Sequence, residues 1–228
     1  MNNKETGCLN KLCNKVKRNP KNVLIFIVVF IVLILFLTFT DDYSETFTNN
    51  VIPELVGVAI ELVLIMIALD LIVQKQEKEK NKKLEQRARE YLRFIIVNLL
   101  KNKSIFEKAV EIEPLLKEYE NNPRDYEFLS QEREKNQKII KAIKSSLDGL
   151  ENESVISHIK NHIRLDLPAF HSLTPVVAQV SGRHLKKWGR ILYFMTLIDE
   201  KDDTIKNMKV ILGKIIEFDT ETSKLYKL

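Results

Sequence analysis

Glycine and cysteine are scarce in this chain, with six and two copies among 228 residues, and there is a single tryptophan. With so few glycines, the loops that cradle phosphates have little to be built from, and neither a GxGxxG nor a Walker A stretch is present. A GxSxG nucleophile turn is missing as well, and no cysteine follows Cys13. Together these absences point away from an enzyme and imply no cofactor. Zinc-finger spacing is lacking, as is a basic region feeding a heptad dimer, and bases interleave with acids beyond residue 104. Nucleic acid is therefore not an expected partner. Period-two alternation and Asn-Gly hairpin turns are also missing, which argues against a sheet.

What the chain does have is two long apolar runs, Val23 to Phe39 and Val51 to Val73, on either side of a short acidic loop. Runs of 17 and 23 residues bracket the roughly 20 that a helix needs to cross a bilayer core of about 30 Å. The pattern predicts a transmembrane hairpin. The formal charge is only +5, but its placement is informative. Lys4, Lys11, Lys15, Lys17, Arg18 and Lys21 precede the first run against Glu5 alone, and Lys75, Lys78, Lys80, Lys82 and Lys83 follow the second. The loop carries Asp41, Asp42 and Glu45 without a base. Cytoplasmic loops favour Lys and Arg, so both termini are expected in the cytoplasm of a multi-pass protein of the inner (plasma) membrane. A cleaved signal peptide fits poorly, because Thr40, Asp41, Asp42 and Tyr43 do not make a small-residue cleavage site and a second run follows. Cys8 and Cys13 then lie on the reducing side, where free thiols are expected.

The chain thus divides into a basic cytosolic tail (1–22), a first spanning helix (23–40), an external acidic loop (41–50), a second spanning helix (51–73), a charged juxtamembrane helix (74–103) and a cytosolic helical domain (104–228). The expected fold is all-α: a two-helix transmembrane hairpin followed by a cytosolic α-helical bundle, with the second membrane helix continuing into the cytosol. Continuity follows from the absence of Gly and Pro between Val58 and Glu113 and from i, i+4 pairs such as Glu79 with Lys83 and Glu85 with Arg89. Ser104 and Glu107 have capping-box spacing and predict a new helix there. Asn121, Asn122 and Pro123 mark a turn, and Asp148 with Gly149 closes a helix that carries Ile139, Ile140, Ile143 and Leu147. Asn152 is the expected cap of a helix ending before Pro168, Thr174 and Pro175 the start of a short one, and Gly182 its end. Two further periodic stretches follow, Leu185 to Ile198 and Ile205 to Phe218.

Three groups of residues are candidates for function. Gly57, Glu61 and Ala68 fall in a narrow sector of the second span, a small and acidic face suited to another helix or to an ion path. An acid at mid-membrane costs about 3 kcal/mol, so Glu61 needs a partner, and a protonated carboxyl hydrogen-bonded across a helix interface is the expected state. Arg183, Lys186, Lys187 and Arg190 surround Trp188, where a solvated helix end is expected and contact with anionic lipid or an anionic ligand is the alternative. His158, His162 and Asp166 recur every fourth residue. The spacing permits a divalent metal, but no HExxH motif or thiolate accompanies it, and a solvated polar face is the expected reading.

The expected function is a self-associating scaffold or anchor, without enzymatic activity. Its partners would be the lipid bilayer, further copies of the chain in a homo-oligomer, and a cytosolic protein. The alternative is a gated membrane effector, whose cytosolic domain senses a ligand or partner and opens a leak pathway through the spanning helices.

Overall fold

A computed structural model describes residues 52–200 and 203–227. The basic tail, the first apolar run and the acidic loop lie outside the described residues, so the expected hairpin is represented by its second helix alone. Every regular element described is helical. They are α1 (Ile52–Leu100), α2 (Lys103–Ile112), α3 (Arg133–Ser146), α4 (Glu153–Val180), α5 (Gly182–Glu200) and α6 (Thr204–Tyr226). Three 3-10 turns, Pro114–Tyr119, Pro123–Asp125 and Ser130–Glu132, fill the connection between α2 and α3. The chain divides into two compact units between Gln76 and Glu77.

Short side chains set the helix starts. The Asn102 side chain accepts from Ile105 N at 3.2 Å and opens α2, two residues before the expected Ser104 and Glu107 start. Starting there places Ile105 in the core, which fixes the register of the short helix. Asn122 caps the Pro123 turn, and Asn152 accepts from Val155 N at 2.9 Å to open α4, both where the sequence places them. Gly149 leaves the turn after α3 at φ +74°, a conformation that costs any side chain with a Cβ.

One expectation fails clearly. Helix α4 does not stop before Pro168, and no short helix begins at Thr174, because α4 runs through both Pro168 and Pro175 to Val180. Both prolines are exposed, and the carbonyls they leave unpaired, four residues back on Arg164 and His171, belong to exposed residues that water reaches. The opposite side of α4 buries Phe170 and Val177. Trp188 of α5 stacks on Phe170 with ring centroids 4.8 Å apart and donates its indole N–H to the Phe170 carbonyl at 3.2 Å. This packing keeps the chain helical across positions whose local preference is to break it. The break comes instead at Ser181, whose extended backbone separates α4 from α5, and Gly182 opens α5 rather than closing α4.

In the unit that begins at Glu77, α5 packs against α4 and α6, α3 against α6, and α2 against α3. The interior is a single hydrophobic cluster, running from Ala88 of α1 to Phe218 of α6. The stretch expected as a juxtamembrane helix therefore contributes to the core: Leu92, Ile95, Ile96 and Leu100 are at most 2 % exposed.

Two glycines test the backbone argument. Gly149→Ala should lower the unfolding free energy by about 1 kcal/mol, since alanine disfavours the left-handed region. Gly189→Ala, at an exposed helical position with no atom within 4 Å of the added Cβ, should raise it by about 0.5 to 1 kcal/mol. Denaturant titration of the two variants checks both signs.

Candidate functional site

The apolar part of α1 is almost uncovered. Val58, Ile60, Leu62, Leu64, Ile65, Ile67, Leu69, Leu71 and Ile72 are each between 49 % and 61 % exposed, far more apolar surface in one stretch than a water-soluble protein usually presents. An 18-residue window of the helix has a mean hydropathy of 2.7 and is 6 % buried. Among the described residues it is the one helix long and apolar enough to cross a membrane. Gly57, Glu61 and Ala68 are all exposed. The less exposed line is Ala59, Val63, Met66 and Val73, about half a turn away around the helix. Nothing described covers the small and acidic face.

Within the Glu77–Leu228 unit lies a chain of buried polar groups that α1, α5 and α6 assemble. Arg89 donates to Glu85 Oε1 from Nε at 3.1 Å and from Nη2 at 2.9 Å, and to Asp219 Oδ1 from Nη1 at 2.8 Å. The three side chains are 1 % to 3 % exposed. The guanidinium also lies 4.2 Å over the Phe128 ring, a cation–π contact strengthened by the dry surroundings. Thr222 donates to Glu85 Oε1 at 2.6 Å. Having given away its one proton, its oxygen accepts from His184 Nε2 at 3.0 Å. His184 Nδ1 is then the acceptor for the Ser181 hydroxyl at 2.7 Å, which fixes a neutral imidazole in its Nε2–H form.

Ser181 is placed by local structure. Its oxygen accepts from His184 N at 3.2 Å and so caps α5. The Ser181 to Glu85 relay thus fastens three helices together. Among the described residues not every polar atom here is paired: Glu85 Oε2, Asp219 Oδ2 and the nearby Tyr226 hydroxyl have no hydrogen-bond partner. Burial raises the Asp219 carboxyl above its ordinary range against the pull of Arg89. Burial and the Glu85 charge push the Tyr226 phenol up to about 12. Burial also lowers the His184 imidazole, opposed by Glu85 and Glu221 and reinforced by Arg89.

In the sequence, Glu85 and Arg89 read as an ordinary i, i+4 surface pair. The signal that they are interior is their phase, since Glu85, Arg89, Leu92 and Ile96 recur on one stripe of α1, and all four are buried.

Of the basic cluster around Trp188, two members pair with acids of α6 and two are exposed. Trp188 is fully buried. Arg183 pairs with Glu221 at 3.4 Å, Lys187 pairs with Glu217, and Lys186 and Arg190 are exposed. His158, His162 and Asp166 do share one face of α4, and that face meets Asn98 of α1. The two imidazoles are 4.6 Å apart, His158 Nε2 contacts the Asn98 carbonyl at 2.7 Å, and the Asn98 amide donates to Asp166 at 3.3 Å. Burial, His158 and Lys101 lower the His162 imidazole, and burial raises Asp166. Among the described residues no group of three His, Cys, Asp or Glu side chains is arranged to hold a metal.

Compared with known proteins, the chain matches no family model, no curated protein and no solved structure.

Two outcomes follow from these geometries. Arg89→Met should destabilise the helical unit by roughly 3 to 5 kcal/mol, because it strands two buried carboxylates, and chemical denaturation measures the loss. His184 and His162 have lowered folded-state values, so the unfolded chain binds more protons. The stability they contribute is present above the unfolded histidine value near 6.5 and is lost as pH falls towards the lowered folded values. Thermal unfolding should therefore shift down between about pH 7.5 and 5.5, and His184→Gln should flatten the slope. An unchanged slope in that variant would show that the buried imidazole does not set it.

Proposed function

We propose that this is a non-enzymatic membrane protein that anchors a helical interaction domain to the bilayer through α1 and self-associates there as a scaffold. The observation that carries the reading is the uncovered apolar stretch from Val56 to Ile72. Fourteen Leu, Ile and Val residues between Ile52 and Val73 favour insertion by roughly 4 to 8 kcal/mol, against about 3 for Glu61 at the centre. Lipid therefore accommodates a surface that water does not.

Self-association is supported by the face that bears Gly57, Glu61 and Ala68. It is exposed, its small residues permit close approach of backbones, and a carboxyl in lipid needs a hydrogen-bonding neighbour. A second copy of the same helix presents the same carboxyl and satisfies both. The hairpin, the inner-membrane location and the cytosolic side of both termini extend this proposal on the charge pattern. The gated-effector alternative draws on the same uncovered Glu61.

Cysteine labelling tests the anchor in a background where Cys8 and Cys13 are serine. In intact membranes, Ile65→Cys should resist a water-soluble maleimide while Lys78→Cys reacts. Equal labelling of the two positions would remove the anchor. For the contact face, Gly57→Leu should reduce crosslinked dimer in membranes by severalfold, and Val63→Phe, on the opposite side, should leave it unchanged. If Glu61→Gln abolished a depolarisation seen on expression, the effector reading would replace the scaffold.

A further inference from the structure

A cleft of about 460 Å³ opens between the end of α3, the turn after it and one side of α6. The size falls within the range of about 300 to 1,000 Å³ typical of small-molecule sites. Its α6 wall is a stripe at helical spacing, Lys206, Lys209, Val210, Gly213, Lys214 and Glu217. Lys144 enters from α3, and Leu147 and Ile205 give it an apolar floor. Lys108 reaches in from α2 to donate to the Asp148 carbonyl.

The charges in the cleft do not balance, since its lining holds Lys144, Lys206, Lys209 and Lys214 against Asp148, Glu151 and Glu217. Lys209 pairs with Asp148, and Lys214 with Glu217 at 2.5 Å, but Glu217 is already shared with Lys187. Among the described residues Lys108 hydrogen-bonds the neutral Asp148 carbonyl and makes no ion pair. Lys144 is half-buried, and among the described residues it has no carboxylate or hydrogen-bond partner. The two ammonium groups lie close to glycines of the cleft: a Cβ on Gly149 would sit 3.6 Å from Lys108 Nζ, and one on Gly213 would sit 3.7 Å from Lys144 Nζ, both ordinary contact distances. The field is also felt by Asp148, whose carboxyl is held below its usual range by Lys209 foremost and by Lys108 and Lys144. A half-buried cation with no ion pair of its own, in a lining with one more cation than anions, is a site able to take further negative charge.

We propose that this cleft binds a ligand carrying two or more phosphate groups, with Lys144 as its central contact and Lys108, Lys209 and Lys214 around it. Flexible ammonium groups suit phosphate as point charges, and several of them discriminate a polyphosphate from a single one. No glycine-rich loop is needed, because the side chains supply the charge that backbone amides supply elsewhere. Asp148 competes for Lys209, so it tunes the site rather than belonging to it.

The full-length protein in nonionic detergent is titrated with sodium tripolyphosphate by calorimetry. One saturable site per chain is expected, weakened by added salt. Lys144→Gln and Lys209→Gln should each weaken binding about tenfold, Asp148→Asn should tighten it severalfold, and Lys103→Gln, exposed on α2, should change nothing. Lys144 makes no ion pair, so its substitution leaves the fold intact and the readout interpretable. Competition by ATP identifies a soluble phosphate ligand, and competition by dihexanoyl phosphatidylinositol bisphosphate identifies a lipid headgroup. Absence of saturable binding of tripolyphosphate and of the lipid below ~1 mM overturns the proposal. Equal binding by Lys144→Gln and Lys103→Gln does so as well.

Discussion

The buried Arg89 guanidinium is the constraint on which the helical unit depends. Two carboxylates, Glu85 and Asp219, are sealed from water on α1 and α6, and each is tolerable there only because Arg89 lies between them. The consequences spread through hydrogen bonds. Glu85 orients Thr222, Thr222 orients His184, and His184 holds the Ser181 hydroxyl that starts α5. One ion triad thereby sets the register of α1 against α6 and the point at which α4 gives way to α5. Hydrophobic packing of the neighbouring Phe170, Trp188 and Phe218 rings supplies bulk stability, but apolar contacts alone tolerate slippage that a directional triad does not.

Helix α1 shows the same residue types serving two environments. Between Val56 and Ile72 its Leu, Ile and Val side chains other than Val63 remain exposed, whereas between Ala88 and Leu100 they are buried among the helices of the second unit. Helix propensity does not distinguish the two stretches. Charge does: Gln74 to Lys83 is polar and exposed, and beyond it apolar residues fall on a stripe rather than all round the helix. An all-round apolar stretch matches lipid, and a stripe matches a protein interior.

The surface lysines follow a related logic. Arg183 and Lys187, which cluster in sequence, pair with Glu221 and Glu217 of α6, while Lys186 and Arg190 stay exposed. The lysines that do converge come from α2, α3 and α6, and they converge because the turn after α3 meets the flank of α6. Separation along the chain hid them among the 36 basic residues.

By itself the sequence determined the helical class, the turn at Asn122 and Pro123, the Asn152 cap, the turn at Gly149 and the long apolar stretch of α1. These are local properties, set by the backbone bonds of a few adjacent residues or by composition over a single helix. The tertiary structure alone decided that α4 passes through Pro168 and Pro175, since the compensating contact with Trp188 comes from another helix. It alone turned Glu85 and Arg89 from a surface pair into a buried triad, because their third member, Asp219, is 130 residues from Arg89 along the chain. It likewise brought Lys144 to Gly213, a meeting across two helices that no spacing along one of them encodes.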